Sequence, residues 1–541
     1  MNVSAKWKIK RVIVFDLLLY MIFAILMIGV IGRKENLYVD EVYSYGLANH
    51  AGNIQMDIKD GVTYYPSSEP WINYMTVSAE NRFDYVNVWR NQANDVHPPL
   101  YYFILHTLCS VFTNIFSIWF AAMINMVFAF GVLFFVRKIV MLMTGDRRMQ
   151  RVISIAFICS TGILSATSFL RMYVMAMYWM TALTYLLIRQ VGEKLPGRFY
   201  PLLVLCTVGG ALTHYYCIVY SVLISISFGC CLLYQKYWKD TVFFCLAQGV
   251  SAALSIAVFP AMISHVFSSG RGNQSADNLT GTSFATWMTR SGIYFDIIDR
   301  QLFGSILLYL LVTMIIIVVV CGRLSPGIPE NESAWRLFSR DRVQESENNI
   351  MVMRYLCSIT PILVYFLLIA KISVYLADRY MYPVYGILFA MALSGASQWI
   401  RKMAGKYDIY IMAALVAVVI INGWRNADWT YLYRSSAALV EKASEYGEVD
   451  CIFVYEKPWE PNPAYYEASK YHSVTFFAEE NLDMLASMDL ASRYQLVLMT
   501  AADADEVIAE VQEICPELSR IEYLGGYAYT NTYCLSTARD E

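Results

Sequence analysis

Charged residues are scarce in this chain. Asp, Glu, Lys and Arg make up 16% of its 541 residues and hydrophobic residues make up 57%, whereas a soluble protein has about a quarter charged residues. The apolar residues also form long runs without an amphipathic spacing. These features exclude a soluble globular protein and predict an α-helical polytopic membrane protein.

Several chemical signatures are also missing. No glycine-rich phosphate-binding loop is present, so a soluble sugar nucleotide is a less attractive ligand. Of the 12 cysteines, only Cys451, Cys515 and Cys534 fall in the polar C-terminal region, and they show no metal-ligand spacing. The basic stretch from Arg323 to Arg342 is typical of a cytoplasmic loop, so it is not evidence of nucleic-acid binding.

The order of apolar segments and basic clusters predicts the topology. Basic residues from Lys6 to Arg11 precede an apolar run from Val12 to Ile31, which we interpret as an uncleaved signal anchor with a cytoplasmic N-terminus. A first external loop follows at 33–97. The later apolar segments bring the total to about 11 to 13 spans of about 20 residues each. We therefore expect a multi-pass protein of the plasma membrane.

Two consecutive apolar segments, 99–116 and 118–136, are not expected both to cross the membrane. Two full crossings would place His97 and Arg137 on the same side, although the basic clusters assign Arg137 to the cytoplasm. One of the two segments is therefore expected to be a partial or re-entrant insertion.

The chain changes character near residue 437. Helical stretches then alternate with runs that have the β-branched and aromatic composition of strands, at 449–455, 473–477, 495–500 and 527–535. We predict a transmembrane module at residues 1–436. A small, acidic, extracytoplasmic α/β domain is predicted at 437–541.

Asp40 and Glu41 form a carboxylate pair just past the first apolar segment. A carboxylate at the membrane rim can accept a proton from an acceptor hydroxyl, and partial burial is expected to raise its pKa and improve it as a base. An isolated Asp-Glu pair is more often a solvated loop feature. The interpretation of Asp40 and Glu41 as catalytic residues therefore depends on the motifs that follow.

A second motif, Asp95-Val96-His97-Pro98-Pro99-Leu100-Tyr101-Tyr102, ends the first external loop. The two prolines fix the backbone where the chain re-enters the membrane, so His97 is expected at the rim, where it can donate to a phosphate oxygen. Asp95, Tyr101 and Tyr102 are candidate substrate-binding residues. For the two tyrosines, a helix start within an interfacial aromatic belt is the alternative.

Two arginines lie where a lipid-linked phosphate is expected. Arg171 sits between two apolar segments, a position at which an arginine is usually paired or functional. Its guanidinium can bind a phosphate in bidentate fashion, although snorkelling to lipid headgroups is the alternative. Arg379 opens a later apolar segment and is a candidate second phosphate ligand, or else part of a structural arrangement with Asp378.

Thr213-His214-Tyr215-Tyr216 marks another expected outer end. His214 and Tyr215 are candidate substrate contacts, but a lone interfacial histidine is more often structural. Acidic and histidine ligands on the first external loop leave a divalent metal cation open as a cofactor. No dedicated ligand spacing is present, so we favour a reaction without a metal ion.

Taken in chain order, these motifs resemble the polytopic glycosyltransferases of the GT-C fold, in the group of the protein O-mannosyltransferases and aminoarabinose transferases (family 39-like). The resemblance covers roughly residues 10–400. It implies a polyprenyl-phosphate sugar donor and transfer with inversion of the anomeric centre. It also implies a catalytic aspartate in the first external loop, which matches Asp40, and rim residues that hold the donor phosphate, a role carried over to Arg171 and Arg379.

Two features depart from that group. Many relatives have an acidic residue beside the arginine that corresponds to Arg171, where this chain has apolar neighbours, so a second catalytic carboxylate is absent there. The first external loop is also long between Ala51 and Asn94, and this length is expected to reshape acceptor binding.

The sequence thus predicts an inverting hexosyl- or pentosyltransferase with Asp40 as base, working at the outer membrane face. The expected partners are a polyprenyl-phosphate-linked sugar donor, membrane lipids, and a glycolipid, protein or wall-polymer acceptor. Two alternatives belong to other classes. One is a transporter or flippase for a lipid-linked saccharide, and the other is a non-enzymatic membrane scaffold or sensor whose C-terminal domain binds a partner.

Overall fold

The structure, a computed structural model, describes residues 3–538 apart from 53, 66–69, 310–341, 489 and 491–492. Within 3–12 and 342–347 it describes the backbone alone. Most of the apolar segment that the sequence predicts at 303–321, and nearly all of the basic stretch from Arg323 to Arg342, lie outside the described residues.

Most of the described chain is helical. In chain order the α-helices are α1 Val3–Ile31, α2 Val39–Asn49, α3 Trp71–Met75, α4 Tyr85–Asn94, α5 Leu100–Val111, α6 Ile118–Thr144, α7 Arg147–Ile158, α8 Thr161–Ser168, α9 Tyr173–Arg189, α10 Phe199–Ala211, α11 Tyr215–Tyr234, α12 Trp238–Val258, α13 Ala261–Phe267, α14 Gly270–Gly281, α15 Phe284–Ile298, α16 Arg342–Ile372, α17 Tyr382–Ala404, α18 Asp408–Arg425, α19 Ala437–Ala443, α20 Tyr465–Ala468 and α21 Ala504–Ile514.

Among the described residues, six helical stretches are long and apolar enough to cross a membrane, or seven if the bent pair α7–α8 counts as one span. The sequence estimate of 11 to 13 spans counted every apolar segment. Several of those segments fold as shorter helices, such as α10, and one span candidate runs from Tyr382 to Arg425 through two consecutive helices, α17 and α18. The chain is a multi-pass helical membrane protein, as predicted.

Helix α5 accounts for the topology problem near residue 100. Its 12 residues extend about 18 Å at 1.5 Å per residue, which is too short for a hydrocarbon core of about 30 Å. Helix α6, with 27 residues, is long enough to cross. The first of the two consecutive apolar segments therefore forms a helix too short to cross alone, which agrees with the expectation that one of the pair is a partial insertion.

The bundle core lies around α6, α9 and α17, and glycines let these helices approach closely. A Cβ on Gly131 of α6 would lie 2.5 Å from the ring of Tyr178 in α9. A Cβ on Gly386 of α17 would lie 2.7 Å from Thr181 Oγ1, also in α9. Larger residues at these two positions would force the helices apart.

The C-terminal region is a small α/β domain built on a mixed sheet, in the order β1-β3-β2-β4-β6-β5. Its strands are β1 Thr63–Tyr64, β2 Asp450–Tyr455, β3 Ser473–Ala478, β4 Gln495–Thr500, β5 Arg520–Tyr527 and β6 Thr530–Ser536. Strand β2 runs parallel to β3 and β4, and β6 runs antiparallel to β4 and β5. Three predicted strands are confirmed.

The last predicted strand, at 527–535, is wrong in its extent. The structure has two strands there, because the chain reverses between Tyr527 and Thr530 to form the β5–β6 hairpin. Alternating Tyr and Thr residues continue through the turn in the sequence, so their pattern concealed the reversal.

The first external loop is part of the C-terminal domain's structure. Strand β1 from that loop pairs antiparallel with β3. The Asp60 carboxylate accepts hydrogen bonds from the Ala478 backbone N–H at 3.0 Å, the Tyr455 hydroxyl at 2.9 Å and the Asn481 amide at 2.5 Å. Trp71 is fully buried and donates to the Pro461 carbonyl at 3.0 Å. Loop and domain therefore lie together at one end of the bundle, which we call the domain end.

Candidate active site

A polar cavity of about 660 Å³ opens at the domain end, where the first external loop, the break between α8 and α9, the segment before α17 and the C-terminal domain meet. Its charged wall residues come from segments that are far apart in the sequence. They are Asp40, Asp95, His97, Arg171, Arg271 and Arg379. Five of these six were candidates from the sequence alone.

Asp40 lies in the first turn of α2, with its carboxylate facing the cavity. Its Oδ2 atom is 3.6 Å from Nη2 of Arg379. Burial acts to raise the pKa of Asp40, but the Arg171 and Arg379 guanidinium groups outweigh it and hold the pKa below its ordinary value. The expectation that burial would raise this pKa is therefore wrong, because two cations lie beside the carboxylate. Asp40 is ionised at neutral pH.

Glu41 points away from the cavity and forms a buried ion pair. Its Oε1 atom lies 2.8 Å from Lys34 Nζ, and both side chains are at most 2% exposed. The same carboxylate accepts from the Leu170 backbone N–H at 2.8 Å and caps α2 through the Tyr38 backbone N–H at 2.9 Å. Glu41 thus links the start of α2 to the segment that carries Arg171 through its hydrogen bond from the Leu170 backbone.

Arg171 occupies the break between α8 and α9. Buried Asn125 of α6 holds this break open by donating to the Thr167 carbonyl at 3.2 Å and the Phe169 carbonyl at 2.7 Å. The Arg171 Nη1 atom donates to the Asp40 carbonyl at 2.6 Å and to Ser44 Oγ at 3.3 Å. Arg171 therefore fixes the backbone of the residue that carries the cavity carboxylate.

Asp95, His97 and Arg171 form a hydrogen-bonded chain along the cavity wall. His97 Nε2 lies 3.3 Å from Arg171 Nη2, and an arginine N–H can only donate, so Nε2 is the acceptor. The Nδ1 atom then carries the proton and donates to Asp95 Oδ2 at 2.7 Å. Both ring nitrogens of His97 are therefore engaged by protein groups.

Arg379 stands in a single 3-10 turn, Asp378–Tyr380. Its guanidinium lies over the rings of Phe169 and Tyr380, at 5.9 and 5.5 Å from their centroids. Below it, the Asp378 carboxylate accepts from Tyr382 at 2.6 Å, from Gln301 at 2.9 Å and from the Tyr431 hydroxyl. Asp378 thus anchors the turn, and Arg379 faces the cavity.

Besides Glu41, four sequence candidates lie outside the cavity wall. Tyr101 and Tyr102 are fully buried, and within the described chain their hydroxyls have no hydrogen-bond partner. His214 accepts from the Tyr216 backbone N–H at 3.1 Å, and burial lowers the pKa of His214 to about 3, so the ring is neutral. The Tyr215 hydroxyl is hydrogen-bonded to His265, 2.7 Å from its Nδ1 atom.

Three residues that the sequence did not single out also line the cavity. Arg271 of α14 lies over the Tyr375 ring at 4.8 Å and donates to its hydroxyl at 2.9 Å. Trp459 and Tyr529 reach the cavity from the C-terminal domain. Arg271 falls in a polar Gly/Ser/Asn-rich stretch, and the two aromatics fall in a domain with many tyrosines. No local pattern distinguished them.

The described residues contain no group of three or more His, Cys, Asp and Glu side chains placed to hold a metal ion. Asp95 and His97 bond to each other, and Glu41 is paired with Lys34. These contacts explain why the candidate ligands of the first external loop, Asp40, Glu41, Asp95 and His97, do not form such a group.

Comparisons with known proteins locate this architecture among solved structures. No protein-family model and no curated protein matches the chain. The crystal structure of ArnT from Cupriavidus metallidurans bound to undecaprenyl phosphate matches with a TM-score of 0.52 and 10% identity, over 96% of this chain and 97% of that one. The archaeal oligosaccharyltransferase AglB from Archaeoglobus fulgidus, in complex with an inhibitory peptide and a dolichol-phosphate, gives a TM-score of 0.42 and 11% identity, over 89% and 69%. At these identities the likeness concerns architecture, and through its match to ArnT the chain has the GT-C fold.

Proposed function

We propose that this protein is an inverting glycosyltransferase that moves a hexosyl or pentosyl group from a polyprenyl-phosphate donor to an acceptor hydroxyl. The observation that carries the proposal is an ionised Asp40 beside Arg379 in a polar cavity at one end of a GT-C bundle. ArnT, which shares the fold, was crystallised with undecaprenyl phosphate. A lipid-linked donor fits a cavity that opens at the rim of a membrane bundle.

The cavity faces outward in this proposal. The Tyr45 hydroxyl donates to the Ser117 carbonyl at 2.8 Å, which puts the start of α6 at the domain end. The 27 residues of α6 then lead to the opposite end, where α7 begins with Arg147 and Arg148. Because basic clusters mark the cytoplasmic side, the cavity and the C-terminal domain lie on the extracytoplasmic side of the plasma membrane.

Arg379 and Arg271 are the donor-phosphate ligands we favour. Arg379 sits 3.6 Å from Asp40, which is longer than a direct hydrogen bond, so its guanidinium can turn to a phosphate oxygen. Arg271 is an exposed residue of the same cavity wall. Arg171 and His97 are engaged by protein groups, and we assign them a positioning role for Asp40.

The transfer is a single displacement. The Asp40 carboxylate takes the proton of the acceptor hydroxyl while the acceptor oxygen forms a bond to the anomeric carbon. The bond from that carbon to the phosphate oxygen breaks, and its electron pair leaves with the polyprenyl phosphate. Arg379 and Arg271 stabilise the charge that develops on the phosphate. One displacement at the anomeric carbon inverts its configuration.

Donor binding would also tune the base. In the free protein the two guanidinium groups hold the pKa of Asp40 down, which makes it a weak base. A bound phosphate brings negative charge to Arg379 and offsets part of that effect. The pKa of Asp40 therefore rises when the donor is in place, and the base gains strength at the step that needs it.

The test compares membranes from cells that express the wild-type protein, Asp40→Asn or Asp57→Asn at equal levels, by mass spectrometry of lipids and glycans. Asp57 is the matched control, because its carboxylate is 65% exposed on the same loop and does not line the cavity. We expect Asp40→Asn alone to accumulate one polyprenyl-phosphate sugar and to lose one glycosylated product.

Full transfer by Asp40→Asn would refute the catalytic assignment. Under the flippase alternative, the protein moves the lipid-linked sugar across the membrane and does not itself transfer the sugar to an acceptor. The scaffold alternative requires both variants to leave lipid and glycan profiles unchanged.

A further inference from the structure

Two aromatic side chains of the C-terminal domain, Trp459 and Tyr529, line the cavity that contains Asp40. Their ring centroids are 4.7 Å apart and the ring planes meet at 84°. Tyr529 is 43% exposed. An edge-to-face pair normally gains by burying its faces in a core, whereas this pair borders an open polar cavity.

The backbone that carries Tyr529 is held in a costly conformation. Tyr529 is at the tip of the β5–β6 hairpin, directly after Ala528, whose φ is +55°. The left-handed region costs a non-glycine residue about 1 kcal/mol or more, and such strain concentrates at functional positions. The turn directs the Tyr529 hydroxyl to within 3.0 Å of the Tyr38 hydroxyl.

The segment that carries Trp459 is fixed from both sides. The buried Glu460 carboxylate accepts from the backbone N–H groups of Glu456 at 2.8 Å and Lys457 at 3.0 Å. On the other side, Trp71 donates to the Pro461 carbonyl at 3.0 Å. Trp459 is therefore presented on a rigid turn, which is what a preorganised binding surface requires.

This aromatic pair is close to the reacting carboxylate. Tyr38, which contacts Tyr529, precedes Asp40 by two residues and stacks on Tyr433 with ring centroids 5.9 Å apart. A sugar ring has apolar C–H faces and a rim of hydroxyls. Two rings set nearly at right angles offer one aromatic face to the C–H groups, and the paired tyrosine hydroxyls can bond to the rim.

Resting on the proposed function, we propose that the acceptor is a saccharide and that Trp459 and Tyr529 form the subsite that binds its sugar ring beside Asp40. A polypeptide acceptor is the competing substrate class. The wall near Asp40 presents ring faces and hydroxyls, which suit a glycolipid headgroup or a wall polysaccharide better than an extended peptide backbone.

The experiment is saturation-transfer NMR on the full-length protein in detergent. The probes are the methyl glycosides of glucose, galactose, mannose and N-acetylglucosamine, and one hexapeptide that contains Ser and Thr. We expect at least one glycoside to receive saturation at its ring C–H groups. Its dissociation constant should rise about tenfold in Trp459→Ala, as expected for loss of one aromatic contact, and also in Tyr529→Ala.

Tyr523→Ala is the matched control. Tyr523 is an exposed tyrosine on β5 that contacts Tyr533 and is not part of the cavity wall, so this variant should bind as the wild type does. Tyr529 is at an exposed turn tip, so its variant keeps the test decisive if Trp459→Ala fails to fold. Glycoside binding that is equal in wild type and both variants, the absence of any glycoside binding, or binding of the hexapeptide alone would overturn the inference.

The two proposals fail separately. The Asp40→Asn variant should lose transfer but still show saturation of the glycoside ring C–H groups, because the aromatic pair is intact. Glycoside binding without any transfer in cells would remove the proposed function and leave the subsite. Transfer that depends on Asp40 but not on Trp459 or Tyr529 would remove the subsite and leave the enzyme.

Discussion

Variants of the Lys34–Glu41 pair can distinguish a structural role of Glu41 from a catalytic one. Glu41→Gln removes the negative charge and leaves the Lys34 ammonium buried. Its remaining neighbours are the Tyr431 carbonyl at 2.5 Å, the Ser168 carbonyl at 3.4 Å and the ring of Tyr433. Breaking a buried pair on one side costs about 3–5 kcal/mol. At roughly 2 °C per kcal/mol for a large domain, Tm should fall by roughly 6 to 10 °C.

The assay is thermal denaturation of the purified protein in detergent, combined with the lipid profile of membranes. Lys34→Met with Glu41→Gln removes both charges, and a pair replaced on both sides is often close to neutral in stability. Compared with Glu41→Gln, this double variant should therefore have a Tm closer to that of the wild type, and it should also have transfer activity. Glu35→Gln, an exposed neighbour on the same segment, is the control and should change neither.

Two results would refute this reasoning. If Glu41→Gln kept the wild-type Tm, the buried ion pair would not hold α2 in place. If the double variant were stable but inactive while Asp40 was intact, Glu41 would take part in the reaction itself, as the sequence alone had indicated.

Two further predictions concern the base and the loop. Because its two arginine neighbours lower the pKa of Asp40, the acid limb of the pH profile of kcat/KM should lie below the range of an ordinary aspartate. The acid limb of the kcat profile should lie at higher pH, because donor phosphate is then bound. Arg379→Gln should move the kcat/KM limb to higher pH, and an unchanged limb would show that Arg379 does not act on Asp40. Asp60→Ala removes three hydrogen bonds to a carboxylate and should cost about 2–3 kcal/mol, measured as a lower Tm and faster proteolysis of the first external loop. Asp57→Ala is its control, and equal protease resistance in the two variants would show that the Asp60 contacts do not hold loop and domain together.

The amino-acid sequence alone determined the class of the protein and most of the charged cavity. Long apolar runs require helices that satisfy their own backbone hydrogen bonds in lipid, so a polytopic bundle followed directly. Charged residues are costly in such segments. Asp40, His97, Arg171 and Arg379 therefore stood out against an apolar background, and all four line one cavity.

Only the tertiary structure decided which neighbours each of these residues meets. Asp40 and Glu41 are adjacent in the chain, yet successive helix positions point about 100° apart, and one faces two arginines while the other is buried against Lys34. The direction of the Asp40 pKa depends on residues more than 100 positions away, because Coulomb interactions act through space. Arg271, Trp459 and Tyr529 reach the cavity from segments with no distinguishing local pattern, so their placement depended on the folded chain.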